Sequence, residues 1–393
     1  MTDLVIGWSR INSGSHHLVG LEKCASAIAT QFERLDGEMR WIDLPLQETV
    51  DDDGRLVQRP LGRAIHIVKR PTAPIRVLLA IHYDTVYGFD HPFQLPERLD
   101  AKTLRGPGVA DAKGGIAVML TALEAIERSG LAEHLGWEVI LNPDEEIGSP
   151  GSTSLLIEAA GRNHVGLVFE PALPDGALVG ARKGSGNFTA VVTGRAAHVG
   201  RDPERGRNAI EAMVDFIVAL RGLSRDLPGV TVNVGKVNGG GPVNIVPDFA
   251  MVRFNIRVDE SAQQNAAKKN LDHLVQSIDT RDGISLVIHG GFNSPPKPVN
   301  SPFLELLDQI QTCGSELGLS LPHRSVGGVC DGNRLSAVGL PTVDSLGPCG
   351  GHLHSNAEYV MLDSLAERAM LVASLLFKYA AGKFRPPISE PQM

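Results

Sequence analysis

The amino-acid sequence predicts an α/β protein: a three-layer domain, discontinuous along the chain, with a smaller α+β domain of ferredoxin-like order inserted into it. Three observations carry this. The chain has 393 residues, enough for more than one buried core. Its first part alternates strand-length apolar runs with segments of helical periodicity. Its middle changes to a βαββαβ order before long periodic helices return.

In the first part, Ile75–Ile81, Glu138–Leu141 and Val165–Phe169 are apolar stretches of strand length. Near-continuous apolar character suits strands covered on both faces by helices. Between the first two lies Gly114–Arg128, where Ile116, Met119, Leu120, Leu123 and Ile126 recur at helical spacing. In the middle, Asn187–Thr193 reads as a strand and Arg207–Leu223 as a helix with Ile210, Met213, Val214, Ile217 and Leu220 on one face. Val230–Val234 and Ala250–Val258 are strand-like, Ser261–Ile278 is a second helix, and Ile284–His289 is a last strand. Pro171–Gly176 and Asn293–Pro298 mark the edges of this insert. The expected division is therefore 1–178 with 298–393 as one domain and 179–297 as the other. The last helix covers Leu362–Tyr379, and the proline-rich tail after Phe384 is expected to be loosely ordered.

Composition narrows the function. A formal net charge of −8, from 37 Lys+Arg against 45 Asp+Glu, speaks against nucleic acid or an anionic membrane as partner, since both attract basic surfaces. The N-terminus lacks a basic segment followed by an apolar one, and no apolar run approaches the roughly 18 residues of a membrane span. Cys24, Cys313, Cys330 and Cys349 form no CxxC pair, which suits reduced thiols in the cytoplasm; a periplasmic location stays open if a leader has been removed.

Chemistry-bearing residues cluster by position. His82 and Asp84 follow the first strand, Asp144, Glu145 and Glu146 the second, and Glu170 the third. Open α/β sheets bind ligands beyond the carboxyl ends of their strands, so one rim receives all of them. Asp111, in Gly106-Pro-Gly-Val-Ala-Asp-Ala-Lys-Gly-Gly115, precedes a helix, and His354 lies far along the chain in Gly351-His-Leu-His-Ser355. Taken singly, a His-x-Asp is a hydrogen-bonded polar pair and an Asp-Glu-Glu run a solvated turn. Together, so many like charges in one crevice require cations, and zinc accepts carboxylate and imidazole alike. Asp84 can hold the far nitrogen of His82, as carboxylates do for metal-bound histidines. Cys330, Cys349 and His352 offer a competing soft-ligand site, but no second close pair completes four ligands.

These residues resemble the M20 metallopeptidase family, which includes glutamate carboxypeptidase, acetylornithine deacetylase and succinyl-diaminopimelate desuccinylase. The resemblance runs from about Ile11 to Tyr379 through His82-Tyr-Asp-Thr-Val, the Gly106–Gly115 loop, Asp144-Glu-Glu-Ile-Gly148, Phe169-Glu-Pro, Arg182-Lys-Gly184, Ala197-His-Val-Gly200, Asn244-Ile-Val-Pro247 and His354-Ser-Asn-Ala-Glu358. It is nearest to the glutamate carboxypeptidase, carboxypeptidase G2-like, branch through Asp84-Thr-Val-Tyr87, Gly106-Pro-Gly108 and His354–Tyr359. It implies a zinc-exopeptidase-like catalytic domain with a lid and dimerisation domain, and a homodimer. It implies two zinc ions per subunit, with cobalt or manganese as substitutes: Asp111 bridges them, His82 and Glu170 complete one ion, and Glu146 and His354 the other. Glu145 is then the general base, Asp84 supports His82, and His198 donates to the oxyanion across the dimer. It also implies a cis peptide after Asp111.

By the same resemblance Arg257 and Asn244 grip a substrate carboxylate, with bidentate geometry suiting the guanidinium. Lys183 and Arg324 are candidates for the polar walls, and the Gly327-Gly328 turn for backbone donors. The expected substrate is an N-acyl amino acid or short peptide, cut at the amide before a free C-terminal amino acid. Val329 and Cys330 depart from the family pattern where the pocket is shaped, which opens the choice of amino acid. An N-acyl-amino-acid deacylase is the alternative enzyme. A catalytically silent carboxylate binder is another, although every ligand and the base are present.

Overall fold

The computed structural model describes residues 1–388. The expected loose order of the tail therefore falls partly on residues 389–393, which lie outside the described residues. The chain divides into two compact units, 1–46 with 60–182 and 297–393, and 47–59 with 183–296.

The first unit is built on a six-stranded sheet in the order Glu38–Ile42, Ala64–Lys69, Leu135–Asn142, Ile75–His82, Val165–Val168, Thr342–Val343. Ala64–Lys69 pairs antiparallel with both of its neighbours, and the four strands from Leu135–Asn142 to Thr342–Val343 run parallel. Parallel strands need covered faces, and both are covered here. Val77, Leu79 and Ile81 point into a large core with the helices Leu18–Phe32, Lys113–Glu127 and Leu362–Ala380, while Leu78 and Ala80 point to a smaller core with Thr153–Ala160. The unbroken apolar run in the sequence thus serves two layers at period two. This is the α/β architecture that the sequence predicts.

Because the strands are parallel, their carboxyl ends lie side by side. His82 pairs with Asn142 in register, and Ala80 with Val168. The helix Lys113–Glu127 begins close against that rim. A Cβ on Gly115 would stand 2.0 Å from the Phe169 carbonyl oxygen, so only glycine lets the helix start there. The Gly114-Gly115 pair of the sequence is thereby explained as a packing requirement beside Glu170.

The second unit has the strand order Thr231–Gly239, Phe249–Val258, Gly184–Thr193, Ser285–Ser294, all antiparallel. With the helices Ala209–Asp226 and Ser261–Asp279 on one face, this is the ferredoxin-like βαββαβ arrangement. A hairpin of Gln47–Val50 and Leu56–Arg59, which the sequence reading leaves with the first domain, belongs to this unit. Asp52 in its turn pairs with Lys236 at 2.6 Å and Arg253 at 3.0 Å. Among the described residues no helix is long and apolar enough to cross a membrane.

Candidate metal centre

At the rim of the parallel strands, side chains from distant segments meet around Asp111. One of its oxygens lies 3.0 Å from His82 Nε2, the other 3.3 Å from His354 Nε2. His82 Nε2 is also 3.7 Å from Glu170, and His354 Nε2 is 3.1 Å from Glu146. Ligand atoms of His82, Asp111 and Glu146 lie within 4.8 Å of one another. The Asp111–Ala112 peptide is cis. His354 occupies the left-handed region at φ 61°, a costly conformation for a non-glycine residue and one that recurs at functional sites.

Each of these groups is held from behind. Asp84 is fully buried and accepts from Glu145 N–H at 3.2 Å, Glu146 N–H at 3.2 Å and Ser15 Oγ at 2.6 Å, with His82 Nδ1 3.3 Å away. It therefore orients both the imidazole and the Asp144–Glu146 turn. Asp144 caps the same loop through Gly151 N–H at 2.8 Å and the Ser152 hydroxyl at 2.6 Å. Glu358 accepts from the backbone that leads into Asp111.

The electrostatics follow from crowding. Burial and then the charge of Glu170 push the Glu145 carboxyl well above the usual carboxylate range. Burial and then Asp111 push Glu146 up to about 7. His354 is driven up to about 11 by its hydrogen bonds to Asp111 and Glu146. A cluster that draws protons this strongly onto its imidazoles is one that divalent cations would neutralise. Five oxygen and nitrogen donor groups with two imidazoles among them suit zinc, so the donor set fits the ions that the sequence implies.

The remaining sequence candidates divide between the units. In the first, Arg324 forms an exposed ion pair with Asp175, and the Gly328 carbonyl accepts from Arg182 Nη1 at 3.3 Å, beside Gly327. In the second, His198 and Asn244 are neighbours: Val199 N–H donates to the Asn244 carbonyl at 3.1 Å, and His198 Nδ1 accepts from Gly200 N–H at 3.0 Å. Arg257 donates to Asn255 Oδ1 at 3.3 Å, and Lys183 pairs with Asp259 at 2.7 Å. All four cysteines are free and buried.

Sequence reasoning assigns no role to several residues that organise the site. Glu358 and Tyr87 end two of the motifs but carry no ligand-like signal. Arg182 and Lys297 flank one buried carboxylate, Asp344, at 2.7 Å and 2.8 Å. That trio leaves one net positive charge in the interior, and the charge of Arg182 acts on Glu170. Arg182 stands in the Arg182-Lys-Gly184 motif, which is the one signal that could have found it.

Known proteins bear out the resemblance. The family model described as peptidase family M20/M25/M40 matches residues 78–378. Carboxypeptidase G2 of Pseudomonas sp. (strain RS-16) is 30% identical over 312 residues, covering 78% of this chain and 74% of its own. Succinyl-diaminopimelate desuccinylase of Verminephrobacter eiseniae is 25% identical over 341 residues, covering 83% and 80%. Among solved structures, the YXEP protein of Bacillus subtilis, described as a dinuclear metal binding peptidase, is similar in fold, with a TM-score of 0.65, 16% identity and coverage of 95% and 96%. The chain belongs to the M20 peptidase family and is a hydrolase of that family.

Proposed function

We propose that this hydrolase uses two zinc ions to cleave the amide bond preceding a free carboxy-terminal amino acid. The observation that carries the reading is Asp111, which turns one oxygen toward His82 and the other toward His354. Asp111, His82 and Glu170 would hold one ion, and Asp111, Glu146 and His354 the other. The dinuclear description of the Bacillus subtilis protein supports the number of ions. When bound, the ions supply Lewis-acid polarisation of the carbonyl and a water of lowered pKa.

The protein's own groups do the rest. Glu145, whose side chain no fixed donor satisfies among the described residues, takes the proton of the attacking water and delivers it to the departing amine. Asp84 keeps His82 in one orientation and holds the Glu145–Glu146 turn. His198 donates to the oxyanion, Arg257 and Asn244 bind the carboxylate, and Lys183, Arg324, Gly327 and Gly328 complete the polar surroundings. Cobalt or manganese would substitute for zinc in the same donor set.

The substrate is a small N-acyl amino acid or short peptide, and likeness to carboxypeptidase G2 favours carboxypeptidase action. Likeness to succinyl-diaminopimelate desuccinylase supports a second reading, an N-acyl-amino-acid deacylase. We place two copies in a homodimer through the second unit. Its helix Ala209–Asp226 exposes Ile210, Val214 and Val218 along one stripe, and Thr231–Gly239 is an edge strand. Four buried thiols favour the cytoplasm.

The test is a panel of N-acyl amino acids and dipeptides offered to zinc-loaded enzyme and to Glu145→Gln. The wild type turns over substrates with a free carboxylate, and the variant binds both ions while losing nearly all turnover. Retained turnover in the variant would refute the base, and N-acetylornithine far outpacing N-acyl-glutamate and dipeptides would replace the first reading by the second.

A further inference from the structure

The strands Thr103–Arg105 and Tyr359–Met361 pair antiparallel, with Tyr359 opposite Arg105. Beyond that pair the ladder stops, because the chain on one side turns into the Gly106–Asp111 loop and on the other into the His354 turn. Past one last backbone bond, from Gly106 N–H to the Glu358 carbonyl, the contacts are made by one side chain. Glu358, 1% exposed, accepts at Oε1 from Ala110 N–H at 3.0 Å and Asp111 N–H at 3.1 Å, and at Oε2 from Gly108 N–H at 3.2 Å. The Tyr87 hydroxyl stands 2.8 Å from Oε2 and 2.8 Å from the Ser355 carbonyl. Gly106 N–H donates to the Glu358 carbonyl at 3.1 Å, and Glu358 N–H to the Ser355 carbonyl at 3.1 Å.

We infer that Glu358, braced by Tyr87, is a positioning residue that clamps the Asp111 loop to the His354 turn and so sets the spacing of the bridging carboxylate and the imidazole. A carboxylate has about four lone-pair sites. Three backbone N–H groups take three of them, and the fourth faces the Tyr87 hydroxyl, whose single proton is shared with the Ser355 carbonyl, so side-chain and main-chain geometry are fixed together. No other residue type of this reach can replace it. Glutamine turns an NH₂ toward one of the two donor pairs. With the NH₂ at the Oε2 position, Tyr87 can accept from it, but Gly108 N–H loses its partner inside the protein. Aspartate is one methylene too short to reach both segments.

The inference rests on the reading that Asp111 and His354 hold metal, and the experiment separates the two. The full chain is stripped with a chelator and titrated with cobalt(II), following the visible absorption of the bound ion and its affinity. Three variants accompany the wild type: Glu358→Gln, Tyr87→Phe and Glu138→Gln. The last removes a buried carboxylate remote from the rim and reports what loss of stability alone does to cobalt binding. Glu358→Gln is expected to bind at least one ion tenfold or more weakly and with an altered spectrum, the range seen when a supporting partner of a ligand is lost. Glu138→Gln keeps both ions with the wild-type spectrum. Tyr87→Phe, which leaves the three N–H bonds in place, weakens binding two- to fivefold and reads the clamp even if Glu358→Gln does not fold. Wild-type affinity and spectrum in Tyr87→Phe, or in a folded Glu358→Gln, overturn the clamp alone. A wild type that binds no cobalt overturns the metal reading beneath it.

Discussion

Replacing Asp84 by asparagine tests how the rim is held, and the structure fixes which half should fail. The Asp84 oxygens are not equivalent. Oδ1 faces His82 Nδ1 at 3.3 Å and Glu145 N–H at 3.2 Å, whereas Oδ2 faces Ser15 Oγ at 2.6 Å and Glu146 N–H at 3.2 Å. Asparagine must turn its NH₂ toward one pair. At the Oδ1 position it would orphan the Glu145 N–H and set its own N–H against His82 Nδ1, whose hydrogen bond goes to the Asp84 carbonyl at 3.1 Å. At the Oδ2 position the Ser15 hydroxyl can rotate to accept, and only the Glu146 N–H is orphaned. The second arrangement wins, at a cost of about 1–3 kcal/mol for one buried donor left without a partner. Glu146, not His82, then loses its anchor. We expect Asp84→Asn to unfold at lower urea and to bind one zinc ion with near-normal affinity and the other about 10–100-fold more weakly. Competition with a chromogenic chelator would resolve the two steps. Two ions bound at wild-type affinity, or both weakened equally, would refute the reasoning.

Three further outcomes follow from particular contacts. Gly115→Ala drives a Cβ to 2.0 Å from the Phe169 carbonyl, so either the helix or the Glu170 strand end must move; the melting temperature and zinc affinity should fall together, and a normal melting curve would show that the rim yields freely. Asp344→Ala leaves Arg182 and Lys297 buried without their counter-ion, and urea denaturation should register a loss of about 3–5 kcal/mol; a loss below about 1 kcal/mol would show that water reaches them. Glu138 is opposed by burial, yet its hydrogen bonds to His66, Arg162 and Asn163 hold its pKa down to about 2 from an ordinary 4.5. A depressed folded pKa gives stability that is present above 4.5 and lost as pH falls toward 2, so Glu138→Gln should flatten that limb of the stability profile, and an unchanged limb would contradict it.

How far the sequence could be read depends on the distance over which each residue's meaning is set. His82, Glu146 and Glu170 were legible because an apolar run, its end and the acid after it lie within a few residues of one another. The βαββαβ insert was legible for the same reason. Glu358 was not, since its partners at 108, 110 and 111 lie some 250 positions away, and an isolated glutamate after Asn-Ala looks like any surface acid. Asp344 is similar: only the fold brings Arg182 and Lys297 to it. The 47–59 hairpin reads as a local turn, and its allegiance to the second unit is decided by Asp52 meeting Lys236 and Arg253.

The acidic residues of the rim fall into two rows, and the division bears on which of them would serve the proposed ions. Asp84, Asp144, Asp331 and Glu358 form a rear row. Their oxygens are taken by fixed donors: Asp331 by Asn142 Nδ2 at 2.7 Å, the Ser149 hydroxyl at 2.5 Å and Arg334 at 2.9 Å, the others by the backbone and hydroxyl groups already described. A carboxylate so occupied has no lone pair to give. Asp111, Glu145, Glu146 and Glu170 form the front row. Among the described residues the side chains of Asp111, Glu146 and Glu170 meet imidazoles, and that of Glu145 meets no fixed donor. Charge without fixed hydrogen bonds is expensive to bury, so the front row has a use for cations that the rear row lacks. Glu145 differs from its front-row neighbours in having no imidazole beside it, which leaves its oxygens open to a proton. Sequence alone offered six acids near three strand ends and one loop; hydrogen bonding from behind is what separates those that shape the loops from those left without fixed donors.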